Sequence, residues 1–227
     1  MTRFALMALA LFAAPALAAA GTFQVPQGCT AYATAQLRNC QVSQHYRCPA
    51  EAPGDQWAVY MDSEGPHYIS RIDSETRWID SIDLETGERD RIATEADPAS
   101  FSTLLATGRD DFDFTTRSDS GEVRRYVGHD RLTGASLAID GVALERTEFD
   151  LTAYDGAGEM VWHRWGRQFI QRDWRIFYAD TEEFENAFGD RDSVISTPVT
   201  FALPGETGFL SEDPEFDCDQ MMARVQP

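Results

Sequence analysis

Apolar and polar residues alternate with a period of two along most of the chain, in short runs broken by turn residues about every ten positions. Trp57, Val59 and Met61 alternate with Gln56, Ala58, Tyr60 and Asp62, and Ser63-Glu64-Gly65-Pro66 then turns the chain. A second run covers His67 to Asp73 and turns at Ser74-Glu75. A third places Trp78, Ile82 and Leu84 on one face and Ile79, Ser81 and Asp83 on the other, before Glu85-Thr86-Gly87 leads into Arg89 to Thr94. Successive side chains of a strand point to opposite faces, so this pattern predicts an antiparallel meander.

Asp97-Pro98 reads as an N-cap followed by proline at the first helical position, opening a short helix that ends near Gly108. Strands then resume at Phe112 and Phe114, turn at Asp119-Ser120-Gly121, return over Val123 to Leu132, and turn again at Thr133-Gly134. Asp140-Gly141 is a type I′ hairpin signal. In the run that follows, Val142 and Leu144 are even-numbered but Thr147, Phe149, Leu151 and Ala153 are odd. A β-bulge near Glu145-Arg146 is expected to restore the face. Another hairpin is expected from Met160 to Tyr178, around Arg172-Asp173. Asp180-Thr181-Glu182-Glu183 fits a capping box and Gly189 a helix stop, and Thr30 to Arg38 has the alanine-rich character of a further short helix. The tail from Ser196, which holds four of the ten prolines, reads as ordered loop returning to the sheet.

These elements predict a mostly β fold: a single-domain antiparallel sheet curved into an open barrel or sandwich, with two or three short helices. In broad layout this is similar to the half-barrels of periplasmic lipoprotein carriers; no motif is shared, so no residue is carried over.

The first twenty residues change where such a domain is expected to live. Arg3 precedes the apolar run Phe4 to Phe12, Pro15 breaks it, and Ala16-Leu17-Ala18 and Ala18-Ala19-Ala20 fit the small-x-small cleavage rule. The expected division is therefore 1–20 as signal peptide and 21–227 as a single β-rich domain, periplasmic or secreted. The first cysteine, Cys29, follows Val25-Pro26-Gln27-Gly28, which does not suit a lipid anchor, and no later segment reaches membrane-spanning length. Four cysteines, Cys29, Cys40, Cys48 and Cys218, are an even set without a C-x-x-C pair, which favours two disulfides over a thiolate metal site. Gln41 to Arg47 reads as a strand. Extended, it would hold Cys40 and Cys48 roughly 26 Å apart, which excludes that pair. The preferred pairing is Cys29 with Cys40, closing a local loop, and Cys48 with Cys218.

Composition then narrows the chemistry. Thirty-eight acidic residues against nineteen basic ones give 227 residues a net charge of -19. Such a field repels phosphate backbones and anionic membrane surfaces, so nucleic acid is not an expected partner. Every basic residue is arginine, which leaves no lysine for Schiff-base or P-loop chemistry. G-x-S-x-G, G-x-G-x-x-G, H-E-x-x-H and Walker patterns are absent from the sequence, so it implies no cofactor and identifies neither catalytic nor metal-ligating residues. Asp110-Asp111-x-Asp113 and Asp83-x-Glu85-x-Gly87 resemble fragments of calcium loops, but both sit where a turn or strand entry already calls for aspartate.

One row stands out. His163, Trp165 and Arg167 share a strand face and, if that face is concave, could hold an anionic or aromatic ligand. The competing account is pairing of these arginines with acids such as Glu148 and Asp150 on the preceding run. Two functions are compatible with all this: a non-catalytic binding or envelope-maintenance module taking an apolar or amphipathic small ligand, with Trp78, Trp162, Trp165 and Trp174 as its aromatic surface, or a secreted hydrolase using His163 or His129 as base, with or without a metal. Oligomeric state is left open.

Overall fold

Each β-run finds its partner in the next run along the chain. A computed structural model describes residues 21–219, so the expected signal segment lies outside the described residues. Thirteen strands form it: β1 (Thr30–Leu37), β2 (Gln41–Arg47), β3 (Gln56–Asp62), β4 (Gly65–Ile72), β5 (Trp78–Asp83), β6 (Arg89–Asp97), β7 (Arg109–Ser118), β8 (Val123–Ile139), β9 (Val142–Tyr154), β10 (Met160–Gln171), β11 (Ile176–Asn186), β12 (Arg191–Ile195) and β13 (Pro198–Ala202). All belong to one antiparallel sheet, in which β1 to β12 lie in sequence order and β13 pairs with β1 at the far edge.

That order dictates the curvature. Twelve inter-strand steps would put the edges of a flat sheet roughly 58 Å apart, at about 4.8 Å per step. Yet Ser196 and Thr197 alone separate β12 from β13, a reach of at most about 11 Å between Ile195 and Pro198. The sheet must therefore curl until its two edges meet. It does not close by a β12–β13 ladder. The seam is held instead by the Arg38 N–H donating to the Thr197 carbonyl (3.0 Å) and the Ser196 N–H to the Asp180 carbonyl (2.9 Å). A core of Ala35, Leu37, Val142, Leu144, Phe169, Ile176, Tyr178 and Phe201 knits strands from both sides of it.

The single helix among the described residues, α1 (Phe101–Thr107), bridges one end of this curled sheet. Its buried Phe101 and Leu104 pack with Ile170, and Phe101 meets Phe177 edge-on at 5.7 Å. Glu75, in the β4–β5 turn, accepts from the Ser102 N–H (2.8 Å), while Arg175, in the β10–β11 turn, donates to both Glu75 (2.8 Å) and the Ser102 hydroxyl (2.9 Å). The cap is Ser100, whose hydroxyl accepts from Thr103 N–H, not Asp97, which ends β6; Gly108 takes the left-handed conformation at φ 84° that the stop requires.

Two of the expected helices are strands. Thr30–Leu37 is β1, hydrogen-bonded on both sides, by β2 and β13. Asp180 to Glu183 lies inside β11, where Thr181, Glu182 and Glu183 pair with both β10 and β12. Two full ladders outweigh one local capping box, because every backbone group along the segment gains a partner. Thr133-Gly134 does not end a strand either: β8 runs on through it, with a register irregularity between Leu132 and Ser136. The Asp140-Gly141 hairpin forms as expected, with φ of 48° and 80° and Ile139 opposite Val142. The bulge expected near Glu145-Arg146 is absent from β9, whose register with β10 is unbroken from Glu145 to Ala153. The irregularity sits opposite it, on β8. The change of parity has another cause: Val142 and Leu144 enter the seam core from one face, while Phe149, Leu151 and Ala153 enter a second core from the other.

The outer face of β1–β3 is also buried. Ala31, Val42, Tyr46, Val59 and Met61 are covered by Phe23, Val25, Phe209 and Leu210 from the two terminal segments. The disulfides hold those segments down. They are Cys29–Cys48 and Cys40–Cys218, with no free cysteine among the described residues. Cys40 and Cys48 are indeed unpaired with each other, since β2 is extended, but the preferred pairing is corrected. Because Thr30–Leu37 is a strand and not a returning helix, it carries Cys29 away from Cys40 and alongside Cys48, where Thr30 opposes Arg47.

The bridges close loops of 178 and 19 residues. By loop-closure entropy these differ, at about 5 against about 3 kcal/mol. Replacing Cys40 and Cys218 together by alanine should thus destabilise the protein more than replacing Cys29 and Cys48, by about 2 kcal/mol in equilibrium denaturant unfolding. The reverse order would mean that the tail contributes little to holding the sheet.

Candidate functional site

The register of β7 to β11 builds a concave wall row by row. Asp110, Asp130, Phe149, Gly166 and Glu182 stand opposite one another across the five strands. Two residues further along come Phe112, Gly128, Leu151, Arg164 and Phe184, and then Phe114, Tyr126, Ala153 and Trp162. The ring of Phe112 lies over Gly128, where a Cβ would approach it to 3.0 Å and collide with the Asp150 carbonyl. Side chains of this wall, with Trp78 from β5 and Thr116 and Arg124 beyond, line a cavity of about 600 Å³. A second cavity, of about 530 Å³, adjoins it along the inner faces of β3–β5 and shares Tyr68, Trp78, Gln168 and Phe177.

Aromatic rings dominate the larger cavity. Trp78 meets Phe114 and Tyr126 edge-on at 5.5 and 5.3 Å, Phe114 and Tyr126 stack at 5.2 Å, and Trp162 lies 5.9 Å from Tyr126. Polar groups share the wall with them, including Asp83, Glu88, Asp90, Asp130 and Glu182 and the arginines Arg124 and Arg164. Arg164 lies over the Trp162 ring at 4.6 Å and pairs with Glu182 at 3.4 Å. Burial raises the Glu182 carboxyl above its usual range, and Arg164 pulls it part of the way back. Arg124 pairs with Glu122 at 2.8 Å.

Asp130 is different. It forms no ion pair or side-chain hydrogen bond among the described residues. Burial, and secondarily the charge of Asp110 directly opposite, push its carboxyl up to about 7. Asp110 is raised to about 6, chiefly by burial, against which the Ser100 N–H donates to its Oδ2 at 2.7 Å. Two carboxyls facing each other across adjacent strands disfavour joint ionisation, so the pair carries a proton near neutral pH.

The row singled out from sequence shares one face, as alternation requires, but it is the face away from the cavity. Trp162, Arg164 and Gln168 line the cavity; His163 and Trp165 lie on the convex side, stacked at 4.6 Å, with His163 Nε2 3.1 Å from Asp150 Oδ2. Arg167 borders a recess of about 220 Å³ beside Asn39 and Asp180; this recess shares Phe149, Gln168 and Glu182 with the larger cavity. Arg164 pairs with Glu182, and Glu148 with Arg131, so the acids named as partners are engaged by other residues than Arg167. His129 is also convex, opposed by Asp111 and Asp150.

The two remaining histidines face inward. His67 lines the smaller cavity. His45 is fully buried, 5.1 Å from the Tyr178 ring, and its Nε2 lies 2.9 Å from the Ser43 hydroxyl; burial lowers it to about 3, so it is neutral. Ser43 is buried to the same degree, so this pair is closed to any substrate. Of the two acidic clusters, Asp111 and Asp113 point outward to Arg109 and Arg125 while Asp110 points in, and Asp83 caps its own turn by accepting from the Thr86 N–H at 2.8 Å.

Trp162, named from sequence among the aromatic surface, does line the cavity; Asp130, Arg164 and Glu182 were not singled out. One signal could have found Asp130: it continues the apolar positions Tyr126 and Gly128 at strand spacing, an acid on an otherwise apolar face.

The raised carboxyl has a testable consequence. A group whose folded value lies above its unfolded one contributes stability that is whole below about pH 4 and is lost as the pH rises through about 7. Asp130→Asn should therefore raise the thermal midpoint by several degrees at about pH 8.5 and by about a third of that at about pH 5. Calorimetry at both values checks this, and an equal effect at the two would mean that Asp130 is solvated like a surface acid. No protein-family model, curated protein sequence or solved structure matches this chain.

Proposed function

We propose that this protein is an exported, non-catalytic binding module whose curled sheet takes one amphipathic small ligand in its interior. The aromatic-walled cavity carries this reading. At about 600 Å³, with a further 530 Å³ adjoining, it has the size of a small-molecule site, and its wall sets aromatic rings beside acidic and hydroxyl side chains, as an amphipathic ligand requires. Thirteen strands enclose more room than their own side chains fill, as in other barrels that hold a ligand. Export agrees with the two disulfides, which mark an oxidising, extracytoplasmic environment. Removal of residues 1–20 would release the domain into the periplasm or beyond the cell. No helix among the described residues is long and apolar enough to cross a membrane. A hydrolase using His163 or His129 would have to work on the convex side, away from the cavity, which is why binding is preferred.

A neutral fluorescent probe, N-phenyl-1-naphthylamine, tests the reading. It should bind the folded protein saturably, and Trp162→Ala, on the concave wall, should weaken it about tenfold. Trp165→Ala, on the convex side, should leave the affinity unchanged. Absence of saturable binding, or weakening by the convex substitution alone, would overturn the proposal, provided that circular dichroism shows both variants folded.

A further inference from the structure

Five carboxylates, Asp83, Glu88, Asp90, Asp130 and Glu182, line the cavity against two arginines, and we infer that the ligand carries a cationic nitrogen, an amine or quaternary ammonium, which Asp130 receives. This rests on the binding reading above and names the chemical class of its ligand.

The arginines are mostly engaged already. Fourteen arginines among the described residues form ion pairs, including the two that line the cavity, Arg124 and Arg164. Of the five acids that line the cavity only Glu182 forms an ion pair; Asp83, Glu88, Asp90 and Asp130 form none among the described residues. Asp130 is half-buried on the cavity wall, and the one charged group that acts on it is another acid, Asp110. An uncompensated carboxylate in such a place is costly unless something pairs with it.

What surrounds it suits a cation. Phe149 is its direct neighbour on β9, and Phe112 and Phe177 line the same cavity. Ring faces attract a desolvated ammonium, and a carboxylate between them supplies the charge. The apolar remainder of such a ligand would lie along Leu151, Trp162 and Tyr126. An anionic head would instead meet Asp130 and Asp90 on the wall, with both cavity arginines already engaged.

Three probes with one alkyl chain and different heads test this by calorimetry at about pH 8.5, where Asp130 is mostly ionised: dodecyltrimethylammonium, dodecyl maltoside and dodecanoate, each below its micelle-forming concentration and at physiological ionic strength. The cation should bind about tenfold more tightly than either other probe. Asp130→Asn should abolish that preference while leaving maltoside binding intact. Asp173→Asn, an equal loss of charge on the exposed β10–β11 turn, should leave it unchanged, which separates a local counter-charge from attraction by the net charge of -19. Equal affinities for the three probes, or a preference that survives Asp130→Asn, would overturn the inference and leave the cavity reading standing. Failure of all three to bind would overturn both.

Discussion

The two edges of the sheet must meet, because only Ser196 and Thr197 connect β12 to β13. Every larger feature follows from that covalent constraint. A sheet of thirteen strands could twist into an open propeller or split into two layers. Here the short connection forces it to roll, and rolling gives it an interior. The seam needs no ladder of its own, since the β8–β9 hairpin reaches across it: Asp140 accepts from the Phe201 N–H at 2.9 Å, and Val142 and Leu144 join the core to which Phe201 belongs.

Rolling also explains why β1 and β2 are buried on both faces. Their inner face looks onto His45, Tyr178 and Phe201, and their outer face lies beneath the terminal segments. Buried polar side chains on that outer face are matched to the covering chain. Thr34 accepts from the Leu210 N–H at 2.8 Å, and Gln36 donates to the Asp213 carbonyl at 2.9 Å and accepts from the Glu215 N–H at 3.0 Å. Cys40–Cys218 fastens the end of the same segment. Packing, polar satisfaction and covalent linkage thus act on one strip of chain, which is what lets a long irregular tail serve as a wall.

The interior is large because strand number sets barrel radius faster than side chains can fill it. On the seam side the space is filled by aromatic and aliphatic residues; toward β5–β10 it is left open and lined. Asp130 belongs to the open part. Its carboxyl is raised by burial and by Asp110, and both follow from the register that sets Asp130 beside Phe149 and opposite Asp110.

Much of this was legible beforehand. Alternation located the strands of the meander, Asp140-Gly141 fixed a hairpin and its turn type, and an even cysteine set indicated disulfides. Period two also assigned residues to common faces, so that His163, Trp165 and Arg167 do lie together. A strand pattern cannot state which of its two faces becomes concave, however, since that depends on how far away strands curl. The row singled out on β10 therefore lies on its convex side, while Trp162 and Arg164 face the cavity. The same limit governs the helix at Asp180-Thr181-Glu182-Glu183 and the cysteine partners. A capping box is a local preference of about 1 kcal/mol, whereas β11 gains a ladder on each side only when β10 and β12 are present. Sequence alone determined the local period, the turns and the redox setting, because these depend on neighbours in the chain. Concavity, disulfide partners and the isolation of Asp130 were decided by tertiary structure, because they depend on residues that only the rolled sheet brings together.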